Sequence, residues 1–288
     1  MQNKENTSSL NSNDNETYSF TNINNINSDK NQLKNPDYSL NFCNEFSKNK
    51  SLAQLVNDMI NQENFEMFKL LFNDNKGELL KSFYEISKPK ANVDQSNNQF
   101  TYLLHVCTNN NLYKFVELIL IEFRNFIEKN IKKETLYDSA NNIDIAGEEY
   151  SEKLFSNFVN AIDNLGYTPI HYAIISGNIK LINVLIDNKA DVSIRTKNGY
   201  TCLHLAASID KLEIFLFLYE NYKSYLDLND KDNQNNSILH IVCYHGSYDV
   251  FDFLLSKKIN LNAIDNKGNC PLHYAVFNGN IIKITFNQ

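Results

Sequence analysis

From about residue 51 onward, apolar residues recur at helical spacing in pairs of short runs joined by polar turns. Segment 51–72, SLAQLVNDMINQENFEMFKLLF, is interrupted by a polar patch at 61–64, which predicts a helix, a tight turn and a second helix. Segment 101–123, TYLLHVCTNNNLYKFVELILIEF, has the same arrangement around three consecutive asparagines. The residues between the two segments are predicted to be partly helical up to Pro89, because proline interrupts a helix.

The C-terminal half of the sequence repeats itself with a period of about 33 residues. His171 and His204 are 33 residues apart, His204 and His240 are 36 apart, and His240 and His273 are again 33 apart. His105 precedes His171 by 66 residues, which is twice the period. Small turn residues hold one phase of the repeat, namely Gly166, Gly199, Asn235 and Gly268. A fixed period of this length is typical of a stacked repeat architecture.

The repeated unit, DNLGYTPIHYAIISGN followed by KLINVLI and ADV, resembles the ankyrin repeat. Residues 160–288 match this pattern strongly, and residues 51–72 and 100–122 match it in diluted form. The resemblance implies an all-α solenoid of helix–turn–helix units joined by hairpin-like turns. Helices of roughly ten residues are too short to be stable alone, so we expect their apolar stripes to be buried between neighbouring units. The second-helix stripes are Leu181, Val184, Leu185, Ile214, Phe217, Leu218, Val250, Phe253 and Leu254.

The predicted domain organisation is a repeat array over residues 46–288, preceded by an arm over residues 1–45. The first 50 residues contain 14 asparagines and no apolar periodicity, so the arm is predicted to be disordered. A charged stretch after the second unit has no clear period and is interpreted as an inserted loop, with one helix near its end. The parts of the array are degenerate units at 51–75 and 97–123, an insertion at about 124–157, and well-formed repeats over 163–288, the last one incomplete.

Composition and charge exclude several classes of function. The chain has 288 residues, is 42% hydrophobic and carries a net charge of −7, which argues against nucleic acid as a partner because phosphate binding needs a basic face. It has neither an apolar run of about 18 residues nor an apolar N-terminal signal, so no membrane span and no secretion are expected. Five cysteines without a CxxC pair are expected to be reduced thiols of a cytoplasmic or nuclear protein.

The row of histidines is interpreted as structural rather than chemical. Packed helices lie about 10 Å apart and a zinc–nitrogen bond is about 2 Å, so one zinc ion cannot collect histidines from successive units. The resemblance implies that each histidine instead bonds to the hydroxyl residue before it and to the backbone of the neighbouring unit. The residues with this implied role are Thr168, His171, Thr201, His204, Ser237, His240 and His273, of which His273 has Cys270 in place of the hydroxyl residue.

No motif in the sequence points to an enzyme. HExxH, GxGxxG, GxxxxGK[ST] and GxSxG are missing, so no catalytic residue, cofactor, metal or small-molecule substrate is predicted. Cys243 and His245 form a C-x-H pair, which is a weak metal motif by itself. Cys243 and Cys107 are interpreted as small buried residues, because free cysteine packs as a small hydrophobe.

The resemblance implies that another protein binds to the concave face, which is built from turn tips and first helices. One register of this face carries apolar or aromatic residues in four successive repeats, and such anchors are concentrated in protein interfaces. The alternative is that these side chains pack between neighbouring helices. The candidates for partner contact are Tyr167, Ile175, Tyr200, Ile209, Tyr244, His245 and Phe277.

The sequence therefore predicts a non-catalytic scaffold, adaptor or inhibitor that docks a partner protein. A second hypothesis is a regulatory or substrate-recruiting ankyrin domain of a larger enzyme, such as an ankyrin-bearing palmitoyltransferase, truncated after Gln288. The incomplete last repeat favours this second hypothesis. A third is a repeat array of a transcription-factor or cell-cycle regulator, since such arrays also tolerate long insertions.

Overall fold

The computed structural model of this protein is mostly helical. The predicted disordered arm and the first helix of the first predicted unit lie outside the described residues. The structure describes residues 62–87, 101–131, 136–138, 143–145, 147–257 and 259–280.

Twelve helices and two short strands make up the described part of the chain. The helices before the well-formed repeats are α1 (Phe65–Asp74), α2 (Lys76–Ser87), α3 (Thr101–Asn109), α4 (Tyr113–Ile131) and α5 (Gly147–Val159). The helices of the well-formed repeats are α6 (Pro169–Ser176), α7 (Ile179–Asp187), α8 (Cys202–Ser208), α9 (Leu212–Asn221), α10 (Ile238–His245), α11 (Tyr248–Ser256) and α12 (Pro271–Phe277). The strands β1 (Leu136–Asp138) and β2 (Ile143–Ile145) pair antiparallel between α4 and α5.

The helices form two rows. The first helices α3, α6, α8, α10 and α12 pack side by side in chain order, and each of the first four also packs on its own second helix. The second helices α7, α9 and α11 bury most of the apolar stripes predicted from the sequence, with Leu185, Leu218 and Leu254 fully enclosed. Val184, Phe217 and Phe253 are partly buried against the same core. Stacking of neighbouring units therefore makes one continuous core, as the pattern of the sequence predicts.

Local signals in the sequence set the bounds of these short helices. Pro169 and Pro271 stand at the first helical position, where the missing N–H has no intrahelical partner to lose. Gly177 and Gly246 end α6 and α10 in the left-handed conformation, which glycine adopts without a Cβ penalty. Asn178 begins α7, because its side chain accepts hydrogen bonds from two backbone N–H groups of the first turn.

A polar side chain at the first position closes the turn before each well-formed repeat. Asp163 Oδ1 accepts hydrogen bonds from two backbone N–H groups of its own turn, both at 2.8 Å. Asp232 and Asp265 each accept two bonds in the same way, and Thr196 accepts one through its hydroxyl oxygen. These buried bonds hold every turn in one shape and so position the exposed residues at its tip.

The fourth position of the turn has a left-handed backbone. The φ angle is 78° at Gly166, 82° at Gly199 and 66° at Asn235. A Cβ atom on Gly166 would lie 2.5 Å from the backbone N of Lys197, and one on Gly199 would lie 2.7 Å from that of Asn233. Glycine is required at these two positions because the next turn is so close, whereas asparagine is tolerated at 235.

The described part of residues 124–157 is mostly helical, which corrects its interpretation as a loop, and the helix expected near its end is present. Helix α4 continues to Ile131, and α5 occupies most of the second half of the segment. Helix α5 packs on α4 and α2, and phenylalanines fill the space between the three helices. Phe158 lies with its ring centroid 4.5 Å from that of Phe123 and 5.0 Å from that of Phe83. Helix α5 therefore joins an aromatic core that it shares with α2 and α4.

The histidines of the repeats hold the start of their own helices through Nδ1. The backbone N–H of Thr168 donates to Nδ1 of His171 at 3.0 Å, and that of Ser237 donates to Nδ1 of His240 at the same distance. Since Nδ1 accepts a hydrogen bond, the ring proton of these neutral histidines lies on Nε2. The pairs Thr201–His204 and Cys270–His273 repeat the arrangement at 3.3 and 2.9 Å.

Through Nε2, the histidines bond to the neighbouring unit. His171 Nε2 donates to the backbone carbonyl of Ile194 at 3.1 Å, and His240 Nε2 donates to that of Asn269 at 3.1 Å. The Nε2 atom of His204 is buried near the next turn without meeting hydrogen-bonding geometry. Both ring nitrogens are therefore engaged at His171 and His240. His273, in the last described helix, is exposed.

Burial keeps these rings neutral. It lowers the pKa of His171 and His204 to about 4, and it lowers the pKa of His240 as well. A cationic imidazole would need both ring nitrogens to donate, and Nδ1 faces a backbone N–H instead of an acceptor. The hydrogen-bond geometry and the burial therefore both favour the neutral imidazole.

Phe158→Ala should lower the free energy of unfolding by about 3–5 kcal/mol, because it leaves a cavity among buried aromatic rings. Urea unfolding followed by circular dichroism measures the change. Tyr225→Ala is the control, since this side chain is 64% exposed and its removal should change stability by about 0.5 kcal/mol or less. Equal effects of the two substitutions would contradict the packing of α5 on α2 and α4.

His171→Ala should lower the free energy of unfolding by about 1–3 kcal/mol, because it leaves buried donors and acceptors without partners. His273→Ala removes an exposed ring from the same column and should cost less. Thermal melting of both variants tests the comparison. An unchanged melting temperature for His171→Ala would refute the structural role of the histidine row.

The free energy of unfolding should fall as the pH is lowered from about 6.5 toward 4. Histidine titrates near 6.5 in the unfolded chain and near 4 at His171 and His204 in the folded one, so the unfolded state binds more protons in this window. The stabilisation is complete above the unfolded pKa, and each histidine contributes up to about 1.4 kcal/mol per pH unit below it. In urea titrations at several pH values, His171→Gln should flatten this dependence. A dependence as steep as that of the wild type would disprove the assignment.

Candidate functional site

The tips of successive turns form a continuous ridge, which we call the turn-tip ridge and define as residues 164–165, 197–198, 233–234 and 266–267. Each tip donates a backbone N–H to a carbonyl of the tip before it. Lys197 N bonds to the Leu165 carbonyl at 3.0 Å, and Asn266 N bonds to the Gln234 carbonyl at 2.9 Å. Asn233 N makes the intervening bond to Asn198, also at 3.0 Å. The ridge is therefore tied together along its whole length.

The carboxylates beneath the ridge are turned inward. The tyrosine after the helix-start histidine reaches two of them, since Tyr172 Oη donates to Asp163 Oδ2 and Tyr274 Oη donates to Asp265 Oδ2 at 2.6 Å. At Asp265, burial raises the pKa, but this bond and those of the turn outweigh it, so the carboxyl pKa is lowered. At Asp232, burial prevails and raises the pKa. No tyrosine is available there, because Ile241 occupies the equivalent position.

Two candidate contact residues, Tyr167 and Tyr200, prove to be buried, which corrects the expectation that they face a partner. Tyr167 is 2% exposed and Tyr200 is 0% exposed. The Tyr167 ring packs against His171 and Tyr172, and burial raises the pKa of its hydroxyl. Because the turn reverses immediately before these residues, their side chains point between units and not outward.

Ile175 and Tyr244 are buried as well, at 2% and 8% exposure. Their register on the first helix is covered by the unit that follows. The Tyr244 ring lies edge-on to Tyr274 of the next first helix, and the side chain of Asn280 donates to the Tyr244 carbonyl at 2.7 Å. At these two positions the alternative interpretation, packing between neighbouring helices, is the one that holds.

Phe277 and Ile209 are the candidates that remain accessible. Phe277 is 71% exposed, although it occupies the same register as Ile175 and Tyr244, because no described helix follows α12. Ile209 is partly buried at the end of α8. Of the four residues predicted at this register, only Ile209 and Phe277 are therefore accessible, and they lie two repeats apart.

His245, the remaining candidate, offers little to a partner. It is partly buried at the end of α10, and burial lowers its pKa to about 4, so the ring is neutral at physiological pH. Its Nε2 atom is enclosed and has no hydrogen-bond partner. The ring instead packs edge-on against Tyr244, with 5.1 Å between ring centroids.

Three further apolar side chains are accessible that were not predicted from the sequence. Leu165 on the ridge is partly exposed, as are Leu272 and Val276 on α12. The equivalents of Leu272 and Val276 in earlier repeats, Ile170 and Ile174, are fully buried. Leu272 and Val276 differ from Ile170 and Ile174 only in their place in the stack, since α12 is the last first helix that the structure describes.

Among the described residues, no group of three or more His, Cys, Asp or Glu could hold a metal ion. Cys202 and Cys243 are buried, and burial raises the pKa of both thiols to about 12, which keeps them protonated and unreactive. Cys107 is buried in the same way, as its sequence position predicts. Among the helices described, none is long and apolar enough to cross a bilayer.

Comparison with known proteins identifies the repeats. Residues 143–232 and 222–285 match the family described as ankyrin repeats (3 copies). The chain is 35% identical over 120 residues to the probable 26S proteasome regulatory subunit p28 of Saccharomyces cerevisiae, which covers 41% of this chain and 51% of the relative. It is 28% identical over 130 residues to the nuclear factor NF-kappa-B p105 subunit of Gallus gallus, covering 44% of this chain and 13% of the relative.

A third relative is named as an enzyme. The chain is 30% identical over 134 residues to a probable serine/threonine-protein kinase of Dictyostelium discoideum, covering 44% of this chain and 16% of the relative. The chain therefore spans from about an eighth to about half of the length of these three relatives. The 33-residue period, the two rows of stacked helices and the family match agree, and this chain belongs to the ankyrin-repeat family.

Proposed function

We propose that this chain is a non-catalytic scaffold, adaptor or inhibitor that binds a partner protein along the turn-tip ridge and the adjacent ends of the first helices. Ankyrin repeats imply a protein-interaction module, and the relative p28 is named as a regulatory subunit. The finer assignment rests on one observation, the hydrogen-bonded ridge that presents side chains from four successive repeats. A rigid, regularly spaced surface loses little entropy on binding, which favours a docking role.

The accessible apolar residues supply the anchors for this proposal. Phe277 is 71% exposed at the register where Ile175 and Tyr244 are covered by the following unit, so in this proposal the partner covers its ring instead. Ile209 adds a partly exposed aliphatic side chain at the same register, two repeats earlier. Tyr167, Tyr200, Ile175 and Tyr244 act in this proposal only by supporting the surface from beneath.

A second candidate function is a regulatory ankyrin domain within a longer enzyme. The similarity to a protein named as a kinase, restricted to 16% of its length, favours this candidate because the remainder of that protein lies outside the match. Sequencing of the transcript beyond the codon for Gln288 discriminates between the two. A stop codon directly after it would count against the enzyme, and an open reading frame that encodes a catalytic domain would support it.

Ile209→Asp combined with Phe277→Asp should reduce partner capture at least about tenfold, because buried charges and lost anchors each weaken an interface by about 2 kcal/mol or more. Affinity capture with quantitative mass spectrometry identifies the partner and measures the loss. Far-ultraviolet circular dichroism of the variant should match that of the wild type.

Tyr225→Asp is the matched control, because Tyr225 is also well exposed but lies in the loop after α9, away from the ridge. It should retain capture. Equal loss in both variants, or capture that survives Ile209→Asp with Phe277→Asp, would disprove the proposed binding face.

A further inference from the structure

We infer that a cavity beside the turn-tip ridge receives one large apolar side chain of the partner protein, an inference that rests on the proposed function and specifies the chemistry of the partner. The cavity has a volume of about 320 Å³ and lies between the segments that lead into the turns at Asp232 and Asp265. Pockets that bind ligands have volumes from about 300 Å³ upward. We call it the stem cavity and define it by six of its lining residues, Leu228, Lys231, Leu239, Ile259, Ala263 and Ile264.

An arginine of the protein spans the corresponding space one repeat earlier. Arg195 directly precedes the turn at Thr196, and its guanidinium pairs with the carboxylate of Asp230 in the segment that leads into the next turn. Its Nη1 also donates to the backbone carbonyl of Lys231 at 3.0 Å. One long side chain therefore crosses from one segment to the next, and a charge-assisted hydrogen bond holds it there.

The stem cavity lacks this closure because both residues of the ion pair are exchanged. Lys231 directly precedes Asp232, so it occupies the position of Arg195, and Ala263 precedes Asp265 by two residues, so it occupies the position of Asp230. A methyl group thus replaces the carboxylate that would hold a cationic side chain across the gap. The space that Arg195 spans in one repeat is open in the next, so a long side chain from another protein fits there.

The aliphatic walls of the stem cavity determine which kind of side chain gains from entering it. Leu239 and Leu228 are 2% and 9% exposed at its floor, while Ile264 at its mouth is 56% exposed. An apolar occupant that covers Ile264 removes apolar surface from water, which favours binding. Lys231 is exposed, so its charge stays in water, and a carboxylate that entered between the leucines would lose its hydration.

The position of the stem cavity indicates that its occupant is one side chain of an extended segment. Ile264 is two residues before the tip at 266–267, and Asn235 Nδ2 donates to the Ile264 carbonyl at 2.8 Å, which joins the cavity wall to the neighbouring turn. A segment that lies along the ridge therefore passes the mouth of the cavity. The exposed Asn229 and Asn262 add polar groups around this mouth, and protein interfaces likewise have an apolar centre and a polar rim.

The test is a selection of peptides from a random displayed library on the full chain, followed by affinity measurement. We expect the selected peptides to share one leucine, isoleucine, methionine or phenylalanine. Replacement of this residue by alanine should weaken binding at least about tenfold, because it empties the cavity.

Lys231→Arg with Ala263→Asp should close the stem cavity, because it recreates the ion pair that Arg195 and Asp230 form one repeat earlier. Affinity for the selected peptides should fall at least about tenfold, since their apolar side chain can no longer enter. Ile264→Asp, a single change at the exposed mouth, should weaken binding as well. Circular dichroism and urea unfolding should show that both variants keep their fold.

Lys180→Arg with Asn183→Asp is the matched control, because it makes the same change of net charge at two exposed positions of α7. It should leave peptide affinity unchanged. The inference is overturned if the selected peptides share no apolar residue, if none is selected, or if they bind the closed variant as tightly as the wild type.

The outcome is separable from that of the proposed function. Peptides that depend on Ile209 and Phe277 but bind the closed variant normally would leave the binding face standing and overturn only the role of the stem cavity. Peptides that are insensitive to all of these substitutions would overturn both.

Discussion

The stability of this array depends on the contact between one first helix and the next. Short helices are unstable alone, so each unit owes its structure to the neighbour that covers its apolar side. A buried histidine reinforces this contact where Nδ1 fixes the helix start and Nε2 reaches the following unit. The bond pattern requires a neutral ring, and burial ensures it. One side chain thus links local capping to the association between repeats.

The sequence pattern predicts this part of the structure well, because a period of 33 residues reflects the stacking directly. The histidines, the second-helix stripes and the turn residues each serve one packing position, so their spacing is visible without the structure. The insertion is different. Its apolar residues pack on α2 and α4 rather than in the register of the repeats, and its exposed side carries charge, so its helices are harder to recognise.

The candidate binding residues could be predicted only in part, because a register does not reveal which side of a residue is covered. Tyr244 and Phe277 occupy equivalent positions, yet one is buried and the other is exposed. The difference arises from the unit that follows, not from the residue itself. The prediction that Tyr167 and Tyr200 face a partner is wrong for a related reason. The chain reverses direction at the turn, and the sequence does not show to which side the next side chain points.

The hydrogen bonds along the turn-tip ridge have a consequence for how recognition can change during evolution. The backbone N–H groups that join the tips are already engaged with the preceding repeat, so discrimination falls to the side chains. The Asn233 and Asn266 side chains also donate to the preceding tip. The turn beneath the tips is held by the buried aspartates and the left-handed residues, so its shape does not depend on tip side chains such as that of Asn164. In the proposed docking role, single substitutions at the tips would therefore change specificity, while the buried residues beneath maintain the stability of the turn.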